Sequence, residues 1–184
     1  MFLHRKLSVR HAHPVLQDTA FWERFSDNVK TAKEKYLLCY FLSDQPWYFA
    51  YAKELADYLK LKIVLIPSKA AFTSRKETWR KATGPREFAA LIRSAEFVLT
   101  DSYHGSIFAM QFNKPFLHFK RFAENDPVCQ NIRIHSLFSL VELEGLILTE
   151  KVFEPKDIRP IDYARVQNVL TQRRELSKTF LKQH

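Results

Sequence analysis

Four short apolar segments, separated by stretches with helical periodicity, constrain the fold of this chain most strongly. They are residues 35–42, 62–66, 97–101 and 115–120. Each has the length of a strand and is apolar almost throughout. Strands that are apolar on both faces are typical of parallel sheets, because crossover helices cover both sides of such a sheet. The sequence therefore predicts a doubly wound, mostly parallel α/β sheet with helices on both faces.

The stretches between these segments carry apolar residues on one helical face. Pro46 and the Gly84-Pro85 pair stand where helices are expected to begin. We also predict a short strand near Trp79, a helix over 131–143 and a short edge strand over 145–149. A terminal helix over 161–182 is predicted to turn these residues inward: Val166, Val169, Leu170, Leu176 and Phe180.

Length and composition favour one domain with a terminal arm. With 184 residues, 46% of them hydrophobic, the chain can form a single core. Residues 1–30 show weaker patterning and are assigned to an N-terminal arm. Residues 31–184, including the C-terminal helix, are assigned to one Rossmann-like, ligand-binding lobe.

The net charge points to an anionic partner. The chain has 29 basic and 20 acidic residues, for a formal charge of +9. Nucleic-acid modules usually show a basic stripe with interleaved aromatic residues or a known motif, and the basic residues here are spread along the chain. We therefore expect a small anionic ligand and no nucleic acid.

Several features bear on location and metals. The apolar runs are too short to cross a bilayer, and no leader is recognised at the N-terminus, so we expect a cytoplasmic protein without a transmembrane segment. Cys39 and Cys129 lack zinc-site spacing and are expected to be free thiols. His4, His11 and His13 lack a supporting carboxylate or cysteine, so no metal is assigned.

Two loops are predicted to meet at the carboxyl edge of the sheet. They follow the first and third strands, which should lie side by side where the winding reverses, and ligands of doubly wound sheets bind in that crevice. The loops are "SDQP" and "DSYHGS". They supply most of the predicted ligand-binding residues: Ser43, Asp44, Asp101, Ser102, Tyr103, Gly105 and Ser106.

The second loop suits an anion, because a helix starting near Tyr103 would point unpaired backbone N–H groups into the crevice. Gly105 is expected to allow close approach of a ligand, and Asp101 or Ser102 to cap the helix. His104 is the residue suited to proton exchange near neutral pH. The alternative is that His104 only hydrogen-bonds a neighbouring loop and that Asp101 is only a cap.

Three longer stretches resemble one family. "GPREFAALIRSAEFVLTDSYHGSIFAMQFNKPF", "NIRIHSLFSLVELEGL" and "IDYARVQNVLTQRRELSKTFL" resemble the C-terminal half of the polysaccharide pyruvyl transferase family. The resemblance runs from about residue 35 to residue 182. It implies a two-lobed fold of the GT-B type, of which this chain has the length of one lobe. The segment "LSVRHAHPVLQDTAFWERF" is similar to a shortened remnant of the segment that joins the lobes.

The resemblance also implies an activity. Family members transfer the pyruvyl carbons of phosphoenolpyruvate onto two sugar hydroxyls as a cyclic ketal, with loss of phosphate, in cell-surface polysaccharide biosynthesis. It assigns His104 as the catalytic acid or base and requires no cofactor. The implied partners are a saccharide or lipid-linked saccharide acceptor, the latter at the inner face of the membrane, and either a second copy of the chain or a separate N-terminal lobe.

The sequence departs from the family pattern at one position. Many members have an arginine two residues before the histidine, where this chain has Ser102. Arginine binds a carboxylate or phosphate through two hydrogen bonds, which serine cannot do. Lys120, Arg121 and Arg86 are the candidates for that role. Two alternatives therefore stay open: a GT-B-like lobe that binds a nucleotide-sugar, and a non-catalytic lobe that needs a partner chain.

Overall fold

In the computed structural model, five parallel strands form one sheet. In chain order they are β1 (Tyr36–Tyr40), β2 (Lys62–Ile66), β3 (Phe97–Thr100), β4 (Phe116–Phe119) and β5 (Ile147–Leu148). Their spatial order is β2-β1-β3-β4-β5, so the winding reverses between β1 and β3. The predicted doubly wound parallel sheet is confirmed. The structure describes residues 17–68, 75–79, 82–121, 131–149 and 152–183, with side chains described as far as residue 179.

Helices connect the strands. They are α1 (Thr19–Phe25), α2 (Pro46–Leu59), α3 (Pro85–Ser94), α4 (Tyr103–Gln111), α5 (Asn131–Leu140) and α6 (Tyr163–Gln183). Helix α2 contacts β1 and β2, whereas α3 packs on α4, and α1 and α6 pack on α3 and α4 respectively. Because the β1–β2 and β3–β4 connections run in opposite directions across the sheet, right-handed crossovers place α2 and α4 on opposite faces. Every residue of β3 and β4 is buried, as expected for a sheet covered on both sides.

An aromatic cluster fixes α2 against the carboxyl ends of the strands. The ring of Phe119, the last residue of β4, lies 5.5 Å from Phe41, 4.7 Å from Tyr48 and 5.2 Å from Tyr51, measured between centroids. All four rings are buried. Aromatic pairs at such distances contribute about 0.5–1.5 kcal/mol beyond their buried area. The cluster therefore holds the chain segments that follow β1 and β4 in place.

The N-terminal part of the described chain packs on the lobe. Trp22 of α1 is buried, and its ring lies 4.7 Å from that of Phe108 in α4. Arg93 of α3 donates a hydrogen bond to the Glu23 carbonyl oxygen at 2.8 Å. Residues 17–30 of the predicted arm thus lie against α3 and α4. Residues 1–16 of that arm are outside the described residues, and the arm boundary stays a prediction.

Two local predictions differ from the structure. Near Trp79 the chain makes a single parallel bridge, between Leu65 and Thr78, instead of a strand. Leu176 is 56% exposed, so its predicted inward orientation is wrong. On α6 the buried residues Val166, Leu170 and Arg174 recur every four residues, and Leu176 lies two residues after this row, about 200° around the helix. The side chain of Phe180 is outside the described part.

The described residues cover only part of what three further predictions concern. Within the described ranges no helix combines the length and apolar character needed to cross a bilayer. Cys39 is a buried free thiol, and Cys129 lies outside the described residues. The histidines at positions 4, 11 and 13 also lie outside them, and the residues that are described contain no group of three or more potential metal ligands.

Candidate active site

A cavity of about 110 Å³ opens at the carboxyl edge of the sheet, beside the point where the winding reverses. Its walls come from the chain after β1, the β3–α4 junction, the end of β4 and the first turn of α5. The described residues that line it are Leu42, Asp101, Ser102, Tyr103, His104, His118, Arg121, Asn131, Arg133 and Ile134. Five of the residues predicted from the sequence are therefore brought together here: Asp101, Ser102, Tyr103, His104 and Arg121.

Asp101 ties the two predicted loops together. Its carboxylate accepts hydrogen bonds from the backbone N–H groups of Leu42, at 2.6 Å, and Ser43, at 2.9 Å. Burial raises the pKa of this carboxyl, and the two amides and the nearby charge of Arg121 oppose that rise. The cap of α4 is Ser102, whose hydroxyl accepts from the Gly105 N–H at 3.4 Å. Asp101 thus fixes the spacing of the loops after β1 and β3.

Gly105 and Ser106 are buried behind the cavity wall and are not among its lining residues. A Cβ at position 105 would lie 2.4 Å from Thr100 Oγ1. The glycine is therefore required for the packing of α4 on β3. The sequence had instead suggested that Gly105 allows the close approach of a ligand to the backbone. The Ser106 hydroxyl lies 2.9 Å from Nδ1 of His118, so its hydrogen bond is made inside the protein.

His104 is an exposed residue in the first turn of α4 and forms part of the cavity wall. Its ring lies perpendicular to that of Tyr103, with the centroids 5.9 Å apart. Tyr103 is partly buried, and burial raises the pKa of its hydroxyl while the charge of Arg133 opposes the rise. The guanidinium carbon of Arg133 lies 4.5 Å from the Tyr103 ring centroid. Helix α4 therefore presents an imidazole at the surface and a phenol ring against an arginine.

His118 is a cavity residue that the sequence analysis missed. It lies in β4 and is 2% exposed, with its ring 5.4 Å from that of Phe138. Burial lowers the pKa of His118 to about 3, and the charges of His135 and Arg121 act in the same direction. The imidazole is therefore neutral near pH 7. A histidine with apolar neighbours on both sides, within the segment 115–120, was the signal that could have found it.

Among the described residues that line the cavity, Arg121 and Arg133 carry cationic guanidinium groups. Arg121 follows β4, as predicted, whereas Arg133, on the first turn of α5, was missed. Its signal was an arginine between Ile132 and Ile134, in the first turn of a predicted helix. Ile134 is buried and anchors α5, while Arg133 is exposed.

The remaining predicted residues lie elsewhere. Lys120 is not a lining residue, and its backbone N–H donates to the Leu148 carbonyl oxygen at 2.8 Å. Arg86, on α3, donates to the Asp27 carbonyl oxygen at 2.7 Å, where it helps to hold the segment after α1. Ser43 contributes its backbone N–H to Asp101, and Asp44 is exposed outside the lining set.

The arrangement suits a small anion beside a proton-transfer group. The described lining side chains include two guanidinium groups and one carboxylate, that of Asp101, which already accepts two backbone hydrogen bonds. Guanidinium groups bind carboxylates and phosphates through paired, charge-assisted hydrogen bonds. His104, at the solvent side, can exchange a proton with a bound ligand or with water.

Sequence comparison identifies a family. Residues 13–121 match a family model described as polysaccharide pyruvyl transferase. The matched segment is more than half of the 184-residue chain and includes β1 to β4, His104 and Arg121. No curated protein sequence matches the chain significantly.

Some solved structures resemble this chain remotely. The glycosyltransferase SnogD from Streptomyces nogalater matches with a TM-score of 0.45 and 11% identity, over 81% of this chain and 39% of SnogD. A phenylacrylic acid decarboxylase from Aquifex aeolicus matches with a TM-score of 0.42 and 10% identity, over 78% of this chain and 96% of the decarboxylase. The chain thus spans well under half the length of SnogD.

Proposed function

The chain belongs to the polysaccharide pyruvyl transferase family, and from that membership we propose that it forms the donor-binding lobe of a pyruvyl transferase. The proposed reaction moves the pyruvyl group of phosphoenolpyruvate onto two hydroxyls of a saccharide, in the synthesis of a cell-surface polysaccharide. The observation that carries the proposal is the position of His104. It lies within the segment that matches the family and on the wall of a cavity that contains two arginines.

The size and charge of the cavity favour this donor. Phosphoenolpyruvate carries a carboxylate and a phosphate, and Arg121 and Arg133 offer two guanidinium groups. A volume of about 110 Å³ is well below the roughly 300 Å³ at which pockets for drug-sized ligands begin. A nucleotide-sugar, the donor in the alternative considered from the sequence, requires more space than this. We therefore favour the smaller donor.

The reaction needs a group that moves protons. One sugar hydroxyl adds to C2 of the donor as C3 takes up a proton, the phosphate leaves from C2, and the second hydroxyl closes the ketal. The two hydroxyl protons balance the proton gained by C3 and the one carried away by phosphate. A base near the attacking hydroxyl accelerates such a step by about a hundredfold or more.

Two histidines line the cavity, and their environments differ. His118 has its pKa lowered to about 3, so it is a very weak base at neutral pH. His104 is exposed at the solvent side, where an acceptor saccharide would arrive. We assign proton transfer to His104 and a neutral, fixed hydrogen-bonding role to His118.

The acceptor and the partner belong to the same proposal. In the two-lobed fold that the family resemblance implies, the acceptor side of the cleft would come from a separate lobe or from a second copy of the chain. The acceptor would be a saccharide or lipid-linked saccharide. Phosphoenolpyruvate is a cytoplasmic metabolite, so the reaction is placed in the cytoplasm, at the inner membrane face for a lipid-linked acceptor.

The test combines binding and turnover. Thermal unfolding of the purified chain is followed with phosphoenolpyruvate, nucleotide-sugars and inorganic phosphate; a ligand at a hundred times its dissociation constant stabilises by about 2.7 kcal/mol. Phosphate release from phosphoenolpyruvate is then measured with a panel of saccharides, and products are analysed by mass spectrometry. Stabilisation by phosphoenolpyruvate and acceptor-dependent phosphate release are expected. Stabilisation by a nucleotide-sugar, with none by phosphoenolpyruvate, would contradict the proposal.

A further inference from the structure

The first turns of α4 and α5 meet at the cavity through a cation–π pair. The guanidinium carbon of Arg133 lies 4.5 Å from the centroid of the Tyr103 ring, and both side chains line the cavity. Tyr103 is partly buried at the start of α4, and Arg133 projects from the exposed side of α5. This cation–π contact thus holds an arginine at the cavity wall.

Contact with an aromatic ring prepares an arginine for anion binding. A guanidinium held over a ring by cation–π attraction has five N–H donors, and those directed away from the ring can form hydrogen bonds to a carboxylate or phosphate. Because the contact with the ring already restricts the long side chain, less conformational entropy is lost when the anion binds.

The other arginine that lines the cavity, Arg121, interacts electrostatically with different groups from those near Arg133. The charge of Arg121 acts on Asp101 and His118, at the ends of β3 and β4. The charge of Arg133 acts on Tyr103, at the start of α4. Arg121 follows β4 and Arg133 lies in the first turn of α5, so the two residues come from different walls of one small cavity, which suits a ligand with two anionic ends.

We infer that Arg133, held on the Tyr103 ring, binds one anionic group of a small donor that has two such groups, while Arg121 binds the other. This deepens the proposed function by naming the residue that selects a phosphorylated carboxylic acid over a ligand with one anionic group. It rests on the proposed function for the identity of the donor, and on the contact of the guanidinium with the Tyr103 ring for the role of Arg133.

The experiment is calorimetric titration of the full chain with phosphoenolpyruvate, inorganic phosphate and pyruvate. The variants are Arg133→Gln, Arg133→Lys, Tyr103→Leu and Tyr103→Phe. The matched control is Arg165→Gln, an exposed arginine on α6 that pairs with Glu142. Circular dichroism and thermal unfolding show that each variant is folded.

The largest loss of affinity for phosphoenolpyruvate is expected when the guanidinium group of Arg133 is removed. Arg133→Gln should weaken phosphoenolpyruvate binding by about 10- to 100-fold, the usual scale for a charge-assisted pair of hydrogen bonds. Arg133→Lys should lose most of the same affinity, because an ammonium group neither stacks nor binds in the same bidentate way. Tyr103→Phe should bind like the unmodified chain and Tyr103→Leu less tightly, since the ring supports the arginine. Arg165→Gln should remain within about twofold, as an exposed ion pair contributes little.

The single-anion ligands show which end Arg133 binds. A selective loss of phosphate affinity in Arg133→Gln assigns it to the phosphate, and a selective loss of pyruvate affinity assigns it to the carboxylate; either result supports the inference. Unchanged phosphoenolpyruvate binding in Arg133→Gln overturns the inference and leaves the proposed function intact. Binding of inorganic phosphate that depends on Arg133, with no binding of phosphoenolpyruvate, keeps the anion site and overturns the proposed donor. If the unmodified chain binds none of the three ligands, the inference is overturned.

Discussion

Gly105 packs so closely against Thr100 that a Cβ at position 105 would lie 2.4 Å from Thr100 Oγ1. Thr100 is fully buried, and its hydroxyl donates to the Tyr40 carbonyl oxygen at 2.7 Å and accepts from the Ser102 N–H at 3.0 Å. The threonine therefore has no room to move away. This contact sets how near the first turn of α4, which carries His104, lies to the end of β3.

Gly105→Ala is expected to lower the free energy of unfolding by about 1–3 kcal/mol, the usual cost of overpacking a filled site. Urea unfolding measures the change. Gly145→Ala is the matched control, because a Cβ there would meet the far end of the Arg159 side chain, at 2.5 Å, which can swing into solvent. Equal effects of the two substitutions would contradict the packing role given to Gly105.

Asp101→Asn is expected to destabilise the fold by about 1–3 kcal/mol, because an amide side chain can accept from one of the Leu42 and Ser43 N–H groups but presents its own N–H to the other. Asp44→Asn, an exposed substitution with the same change of charge in the neighbouring loop, is the control and should be close to neutral. Chemical unfolding of both variants checks the prediction. A neutral Asp101→Asn would show that the carboxylate does not hold the two loops together.

His118 is expected to make stability depend on pH. Its pKa is lowered to about 3 in the folded protein, against about 6.5 in the unfolded chain. Below pH 6.5 the unfolded state binds a proton that the folded state does not, so stability falls as the pH falls through the window from 6.5 to about 3. Between pH 7 and pH 5 this group should remove about 2 kcal/mol.

His118→Gln should abolish that part of the pH dependence. The measurement is the difference in unfolding free energy between pH 7 and pH 5, for each protein separately, so that any constant cost of the substitution cancels. A variant that loses as much stability as the unmodified chain over this interval would show that His118 is not held neutral by burial.

His104→Ala is expected to lower pyruvyl transfer by about a hundredfold or more while changing the free energy of unfolding by less than about 1 kcal/mol, since the side chain is exposed. His104→Gln should keep phosphoenolpyruvate binding but not the rate. Steady-state kinetics and calorimetry separate the two effects. If His104→Ala instead lowers the free energy of unfolding by well over about 1 kcal/mol and the folded variant transfers pyruvyl groups at the normal rate, the histidine has a structural role.

The elements of this fold could be predicted because local patterns encode them. The apolar run at 62–66 became β2 with the predicted bounds, and the polar residues before Tyr103 marked the start of α4, with Ser102 as its cap. The adjacency of β1 and β3 followed from the rules for parallel strands with helical connections. A wholly buried strand or a capped helix is specified by residues close together in the chain, so periodicity is enough to recognise it.

The partners of individual side chains were decided by the tertiary structure alone. Asp101 reaches the amides of Leu42 and Ser43, 59 and 58 residues away along the chain. Arg86 turns to the carbonyl of Asp27, and Arg133 reaches Tyr103 from a separate helix. Contacts of this kind depend on strand register and on how each helix docks, which are set by packing between distant segments. The sequence by itself determined which strands and helices form and which edge of the sheet carries the cavity, whereas packing determined which polar groups face it.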